Sequence, residues 1–472
     1  MSNTSRRSFL KKTAAVTAGS CLAPVVVSST ALGLDGTTPP SERITMGLIG
    51  SGSHGRGWNL PLMFKNPDQQ VVAVCDPDKG YTAAAQKQVV DFYSKKFGKE
   101  YECKSYEDFR DVVNRKDIDA VCIATPDHWH VPMSVFAMKA GKHVICEKPT
   151  RTIQEGRLMC ETQKKTGLVF QTASENRSIP VYQQLVNLAR NGHLGEVKHV
   201  KVLLPPGNTM ARDPNKRGGE TTVQPIPDTL NYELWTGPAP LLPYIPIRLH
   251  YNWRWNLAYS GGVLPDWGSH LINAAQWALG TDDTGPVEVQ GTGEFPPFEE
   301  PWNTANTFKL YYRYANGITM DVWSEVPGIK IEGTKGWVLS RGWRSPLTAS
   351  DEKLLQIKFD NSGDDKKDFG RPESNANDWG GGGEHRDFTI CIKSGKPPKP
   401  TYYTAESGHR THTIAHLGNI SMQLGGKKIL WNPQTETFEG ESAEEAKKNS
   451  FFVREQREPW SFDKIDSWIN VG

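Results

Sequence analysis

An acidic and a basic side chain, Asp266 and His270, lie four residues apart in the sequence. The stretch from Gly261 predicts a helix that runs to about Leu279, with a proline in its first turn and Gly280 after its end. Residues at i and i+4 project from one helix face, and a carboxylate beside an imidazole can orient the ring and stabilise the imidazolium. A base that deprotonates a hydroxyl needs this arrangement. Taken alone, the same pair is also typical of a surface ion pair or a helix cap.

A glycine motif follows an apolar, β-branched run that begins at Ile44. The order G-x-G-x-x-G permits a tight turn, close approach of the backbone to a pyrophosphate and close packing of the next helix. A second apolar run ends at Asp76, about 20 residues after the last glycine, where an acid that binds a ribose is expected. The sequence therefore predicts a dinucleotide site, and the loop residues assigned to it are Gly50, Ser51, Gly52, Ser53, His54 and Gly55.

Apolar strands alternate with helical segments from the glycine motif to about residue 172, which predicts a parallel, doubly wound sheet. Ligands bind such sheets at the carboxyl ends of their strands. Two further groups of candidate residues follow predicted strands and are expected to converge on the same crevice. They are Thr125, Pro126, His128, Trp129 and His130 after one strand, and Glu147 and Lys148 after the next.

After about residue 180 the apolar residues alternate with polar ones, as in half-buried antiparallel strands. We therefore expect an α/β chain with an N-terminal Rossmann sheet and a C-terminal α+β domain built on a large, mainly antiparallel sheet. The predicted domains are a signal peptide at 1–31, a linker or arm at 32–43, the dinucleotide-binding domain at 44–172 and a substrate and oligomerisation domain at 173–472.

The N-terminal residues resemble an export signal rather than part of a fold. Two arginines, Arg6 and Arg7, precede a Phe-Leu pair and a lysine, and a mildly apolar stretch of small residues follows. This order resembles a twin-arginine signal, which predicts the twin-arginine translocase as a partner and a periplasmic or otherwise exported protein. That route moves folded proteins, so a cofactor can be loaded before transit.

Composition excludes several other classes of protein. The 55 Lys and Arg residues nearly balance the 53 Asp and Glu residues, which gives no electrostatic case for nucleic acid binding. The mean hydropathy is −0.55 and the mature chain has no apolar run of transmembrane length. The chain has no C-x-x-C pair, and we predict no metal site.

The combination of motifs resembles the glucose–fructose oxidoreductase / inositol dehydrogenase / rhizopine catabolism (Gfo/Idh/MocA) family, best over residues 44–290. The motifs are the glycine loop, the acid after the second strand, Glu-Lys-Pro at Glu147, and G-x-x-x-D-x-x-x-H ending at His270. The resemblance implies NAD as the cofactor, with NADP disfavoured by Asp76. It also implies a carbohydrate or polyol substrate and a dimer or tetramer.

The resemblance also implies residue roles. Lys148 would reach the reacting oxygen, and Asp266 and His270 would position the alcohol and take its proton. Asn176 stands where family members contact the nicotinamide side of the cofactor. The chain departs from the family pattern at Asp127, which replaces an asparagine.

Three weaker features remain open. Trp253 and Arg254 could line a sugar pocket or pack within a loop, and His385 could meet substrate. Three histidines share one face of a predicted helix, which is typical of an interface or pocket face and less often of a metal site. They are His409, His412 and His416.

The leading hypothesis is an exported NAD-dependent oxidoreductase that acts on a sugar, sugar derivative or polyol. The alternative is a glycosidase that oxidises C3, eliminates the aglycone, adds water and reduces again with recycled NAD. Export favours the alternative and Lys148 disfavours it; a carbohydrate-binding protein without activity is a third reading. We also expect tightly held NAD, covered by Pro205–Tyr259 or by Asp35–Arg43.

Overall fold

The computed structural model describes residues 38–210, 221–359, 383–395 and 404–469. The predicted signal peptide and the start of the predicted arm lie outside these ranges. Residues 38–43 belong to a separate short unit with a 3-10 turn at Pro40–Glu42, and the main unit begins at Ile44. No helix among the described residues has both the length and the apolar character needed to cross a bilayer.

The first sheet has six strands in the order β3-β2-β1-β4-β5-β6, and all neighbours are parallel. This confirms the predicted doubly wound sheet. Its strands are β1 (Ile44–Ile49), β2 (Gln69–Cys75), β3 (Lys104–Tyr106), β4 (Ala120–Ile123), β5 (His143–Glu147) and β6 (Phe170–Ala173). A π-helical turn (Gly55–Asn59) and the helices connect them: α1 (Leu60–Lys65), α2 (Lys79–Phe97), α3 (Phe109–Val113), α4 (Asp127–Lys139) and α5 (Ile153–Thr166).

Local chemistry explains where these helices begin and end. The side chain of Asp78 accepts hydrogen bonds from the backbone N–H groups of Gly80 and Tyr81, which starts α2. Thr152 caps α5 in the same way, through the N–H of Glu155. Because each helix returns the chain to the start of the next strand, the carboxyl ends of all six strands share one edge.

The second sheet has nine strands in the order β13-β12-β11-β7-β10-β9-β8-β14-β15. Its pairs are antiparallel except for β7 and β10, which run parallel, so the predicted mainly antiparallel sheet is confirmed. The strands are β7 (Val197–Leu204), β8 (Glu288–Glu294), β9 (Thr307–Arg313), β10 (Thr319–Ser324), β11 (Gly328–Gly333), β12 (Gly336–Arg341), β13 (Leu347–Ala349), β14 (Ile429–Asn432) and β15 (Thr437–Glu439).

The remaining helices lie beside or between the sheets. They are α6 (Pro180–Arg190), α7 (Gly207–Met210), α8 (Tyr232–Thr236), α9 (Val263–Leu279), α10 (Gly383–Ser394), α11 (Ala405–Gln423) and α12 (Ala443–Lys447). Short 3-10 turns occur at Glu175–Ser178, Pro246–Arg248, His250–Trp255, Glu352–Gln356 and Phe462–Trp468. The central helix is α9, which is buried along almost its whole length and packs against α6, α11 and β7.

Two later segments pack back onto the first sheet. Phe388 of α10 joins the apolar core around β1 and β2, and Trp460, Ile465 and Trp468 join the core on the other side with Trp129. The first apolar core therefore includes residues from the C-terminal quarter of the chain, which the periodicity of the first 172 residues did not predict.

Candidate active site

The glycine loop after β1 has the geometry of a phosphate cradle. Gly50 has φ +92°, and a Cβ there would lie 2.5 Å from the backbone of Ala124, so a side chain is excluded. A Cβ on Gly55 would lie 2.1 Å from the carbonyl oxygen of Gly50, which keeps the following helical turn against the strand. A Cβ on Gly52 would meet nothing within 4 Å, so the backbone of Gly52 is open to a ligand.

Asp76 follows β2 and its carboxylate lines the same space. One oxygen accepts the N–H of Ser51 at 2.7 Å and the other accepts the N–H of Asp78 at 2.9 Å. Burial raises the pKa of Asp76 to about 7, although these two N–H groups favour the charged form. The acid is therefore fixed in place beside the glycine loop, where a ribose hydroxyl can reach its remaining lone pairs.

One cavity connects the ends of five strands of the first sheet with residues from the middle of the chain. Of the residues predicted to bind a cofactor or substrate, the cavity is lined by Gly50, Gly52, Ser53, His54, Asp76, Thr125, Pro126, Trp129, His130, Glu147, Lys148, Trp253 and Arg254. The open glycine backbone, the adjacent carboxylate and the apolar walls fit a dinucleotide. These residues would hold it.

The segment before α9 supplies the outer wall of this cavity. Leu234, Trp235, His250 and Tyr251 line it from that side. The segment is attached to the start of α2 by a backbone bond from the Lys79 N–H to the Thr229 carbonyl at 2.9 Å. Described residues of 205–259 thus line the cavity, but whether this segment covers the cofactor stays a prediction. The other predicted cover begins outside the described residues and also stays a prediction.

Lys148 extends from the end of β5 to α9 and so connects the first sheet to that helix. Its ammonium group lies 2.7 Å from Asp266 Oδ1 and also donates to the Asp266 carbonyl at 2.9 Å. Arg254 Nε lies 3.6 Å from the other oxygen of Asp266, and its guanidinium lies over the Trp253 ring at 4.3 Å. Asp266 is thus held between two cations.

Burial alone would neutralise both members of this pair, but their mutual attraction keeps them charged. Burial raises the pKa of Asp266, but Lys148 and Arg254 lower it by more, so that the pKa falls below its usual value to about 2. Burial likewise lowers the pKa of Lys148, but Asp266 and Glu147 bring it above its usual value. A protonated lysine at this point can stabilise negative charge that develops on a substrate oxygen.

His270 lies one turn further along α9, but its ring is oriented by different residues from the one predicted. Nδ1 lies 3.3 Å from Ser174 Oγ and 3.7 Å from Glu175 Oε2, both after β6. The prediction that Asp266 orients this imidazole is wrong, because the Asp266 carboxylate binds Lys148 instead. Burial lowers the pKa of His270 to about 4, so the ring is neutral near pH 7 and can accept a proton.

Two models of one family match this chain: an oxidoreductase family's NAD-binding Rossmann fold over residues 44–174, and its C-terminal alpha/beta domain over residues 189–373. Together they span more than half of the chain. The chain belongs to the Gfo/Idh/MocA family of oxidoreductases. Its first domain is therefore an NAD-binding Rossmann domain.

The curated relatives of this family member include both hydrolases and dehydrogenases. A glycosyl hydrolase family 109 protein from a Shewanella species is 32% identical over 42% of this chain and 45% of its own length. Levoglucosan dehydrogenase from Pseudarthrobacter phenanthrenivorans is 26% identical over 51% of this chain and 52% of its own. The chain thus matches about half the length of these relatives.

Solved structures show the same fold. The WlbA dehydrogenase from Bordetella pertussis, in complex with NADH and UDP-GlcNAcA, has a TM-score of 0.58. The similarity covers 83% of this chain and 98% of that one, at 16% sequence identity. Both domains of the family fold are therefore present.

Several predicted cofactor contacts of the family member lie behind the cavity rather than in it. Ser51 is fully buried and its hydroxyl donates to the Cys75 carbonyl. His128 is fully buried, does not line the cavity and bonds the Trp235 carbonyl at 3.1 Å. Asn176 is also fully buried and donates to the His270 carbonyl at 2.9 Å. These predictions are corrected: the three residues support the walls that contact a cofactor.

Two further residues that we predicted to contact ligands, Gly55 and His385, do not line the cavity. Gly55 packs against the Gly50 carbonyl, as described above. His385 is fully buried on α10 and bonds the side chain of Asn59 at 3.0 Å, and Asn59 in turn donates to Glu147. The predicted substrate contact at His385 is therefore corrected: this histidine reaches Lys148 only through Asn59 and Glu147, which precedes the lysine in the chain.

The three histidines of α11 bind protein groups. His409 bonds Glu436 at 2.7 Å, while His412 and His416 bond the N–H and the carbonyl of Thr150 at 3.2 Å and 2.8 Å. Thr150 follows Lys148 by two residues, so this helix holds the lysine-bearing segment in place. The described part of the chain contains no cluster of three or more His, Cys, Asp or Glu side chains suited to a metal.

Sequence reasoning missed the residues that approach His270 from the second sheet. Arg344 binds Glu175 at 2.8 Å, and the Trp343 ring lies 5.1 Å from the imidazole. Both belong to the turn between β12 and β13. No motif marks that turn in the sequence, whereas Glu175 could have been found from its position directly before Asn176.

Proposed function

We propose that this protein is an exported NAD-dependent oxidoreductase that acts on a hydroxyl carbon of a sugar, sugar derivative or polyol. The observation that carries the proposal is that Lys148 lines the NAD-binding cavity and binds Asp266, which lies one turn before His270 on α9. Bound NAD supplies a hydride acceptor. Lys148 stabilises the developing alkoxide, and neutral His270 takes the hydroxyl proton.

The substrate class is supported by the chemistry around the lysine and by the relatives. Aromatic rings beside Arg254 suit the C–H faces and hydroxyls of a sugar. Levoglucosan dehydrogenase and a structure with UDP-GlcNAcA point in the same direction. The twin-arginine pattern at residues 1–31 supports export, and the family resemblance supports a dimer or tetramer.

A hydrolase is the second candidate, since the relative at 32% identity is named a glycosyl hydrolase. Such an enzyme would oxidise C3, eliminate the aglycone, add water and reduce C3 again, with no net redox change. The presence of Lys148 disfavours the hydrolase, whereas the proposed export favours it.

One experiment separates the two candidates. The purified protein is denatured and the supernatant is assayed for released nicotinamide nucleotide by absorbance and mass. A panel of sugars and aryl glycosides is then tested for net oxidation and for release of the aglycone, with His270→Asn as the control. Net oxidation supports the proposal. Aglycone release without net reduction of NAD supports the hydrolase, and neither reaction with any compound contradicts both.

A further inference from the structure

His270 is held mainly by residues outside its own helix. Its Nδ1 faces Ser174 Oγ at 3.3 Å and Glu175 Oε2 at 3.7 Å. The 3.7 Å separation is too long for a hydrogen bond and acts as a charge contact, which strengthens when the ring is protonated. This arrangement leaves Nε2 as the nitrogen that can take a substrate proton.

Glu175 is in turn held by the second sheet. Its Oε1 accepts a hydrogen bond from Arg344 at 2.8 Å. Arg344 has φ +60°, a left-handed conformation that costs energy in a residue other than glycine. Its N–H lies 3.4 Å from the hydroxyl of Tyr182. The strained turn therefore aims the guanidinium at Glu175.

The same turn also supports the imidazole from the side. Trp343 meets His270 edge-to-face at 5.1 Å and 68°, and meets Trp267 at 5.1 Å and 67°. The ring of His270 therefore has a fixed charge partner at Nδ1 and an aromatic neighbour beside it, and both depend on the turn between β12 and β13.

Charged groups on several surrounding elements act on the imidazole. Glu175, Asp266 and Glu147 favour the protonated ring, and Lys148 disfavours it. Asp266 is neutralised by Lys148, and Glu147 accepts hydrogen bonds from His54 and Asn59. Of the acids, Glu175 is the one within 4 Å of an imidazole nitrogen, and Arg344 offsets part of its charge.

We infer that Glu175 is a positioning residue for His270, and that Arg344 on the turn between β12 and β13 sets its effect. Glu175 stabilises the imidazolium formed when His270 accepts the substrate proton. Arg344 limits that stabilisation, so that the ring returns to its neutral form. This inference rests on the proposed role of His270 as general base.

The test compares Glu175→Gln, Arg344→Gln and the matched control Arg344→Lys in full-length protein with its nucleotide bound. The imidazole of His270 is titrated by NMR with histidine labelling, assigned with His270→Asn. Loss of the negative charge should lower the pKa of His270 by about one unit or more. Loss of the positive charge should raise that pKa, and Arg344→Lys should leave it near the wild-type value.

For a substrate that the enzyme oxidises, the pKa of the acid limb of kcat/KM should fall in Glu175→Gln and rise in Arg344→Gln. An unchanged His270 pKa in Glu175→Gln, or shifts of the same sign in Glu175→Gln and Arg344→Gln, would overturn the inference. The titration needs no turnover, so a protein that oxidises no sugar defeats the proposed function without deciding this result. Conversely, an active enzyme with an unmoved pKa defeats the inference alone.

Discussion

Lys148 and Asp266 are 118 residues apart in the sequence, and their contact joins the first sheet to α9. Both side chains are buried, so each loses hydration that the contact with its partner largely replaces. Removing one member of such a buried ion pair lowers the free energy of unfolding, because the other charge is left without its partner. Its presence beside a cavity is explained better by chemistry than by stability, because an apolar pair of similar size would hold the fold as well.

Replacing Lys148 should therefore affect both turnover and stability. Lys148→Met should lower kcat at least about 100-fold, the usual scale for one electrostatic group. It should also destabilise the fold by about 3–5 kcal/mol, because the Asp266 carboxylate loses its nearest partner. Single-turnover hydride transfer and thermal unfolding measure the two effects.

The double variant Lys148→Met with Asp266→Leu controls for the unpaired charge. It should recover much of the stability and none of the activity. Near-wild-type turnover in Lys148→Met would exclude the lysine from the mechanism and favour the hydrolase reading.

At the scale of elements, the glycine loop has two kinds of glycine. Gly50 and Gly55 are required by the fold, because a Cβ at either would contact backbone atoms. Gly52 has free space around its missing Cβ and lines the cavity, so its requirement comes from the ligand. The same motif thus combines a structural and a binding function, and only the surrounding atoms distinguish them.

This difference predicts the effect of one substitution. Gly52→Val should leave the free energy of unfolding within about 1 kcal/mol of wild type and weaken NAD binding at least about tenfold, because the new side chain occupies ligand space. Gly57→Val is the matched control, since a Cβ there also meets nothing within 4 Å and Gly57 does not line the cavity. Calorimetry of NAD binding measures the result, and equal affinities in both variants would contradict the assignment.

At the scale of the whole molecule, one wall of the cofactor cavity is held by a distant part of the chain. Arg457, near the C-terminus, donates to the Glu233 carboxylate at 2.6 Å and its N–H binds the Pro238 carbonyl at 3.1 Å. These bonds hold the segment that carries Leu234 and Trp235 over the cavity. The export proposed above would separate the protein from the cytosolic NAD pool, so slow cofactor release would suit it.

We therefore expect the protein to purify with nucleotide bound, and Arg457→Gln to release it faster. The loss of the side-chain bonds to Glu233 should loosen the cover without touching Lys148 or His270. Stopped-flow exchange against an NAD analogue measures the release rate. Lys447→Gln, which removes an exposed ion pair with Glu444, serves as the control. Nucleotide-free protein that releases added NAD within one turnover would contradict the expectation.

Local sequence determined the parts of this protein that depend on neighbouring residues. The strand and helix alternation, the glycine loop, Asp76 and the boundaries of α9 follow from periodicity, turn chemistry and helix caps, which act over a few residues. The candidate catalytic residues Lys148, Asp266 and His270 could be named because each occupies a recognisable short motif.

Tertiary structure alone decided which of those residues are paired. Asp266 and His270 share a helix face, yet Asp266 binds Lys148 and His270 turns to Ser174 and Glu175. Polar side chains pair with the nearest partner in space, and here the partners follow β5 and β6 of the first sheet. The role of the turn at Arg344 and the burial of His128 and Asn176 depend in the same way on packing between segments more than 90 residues apart.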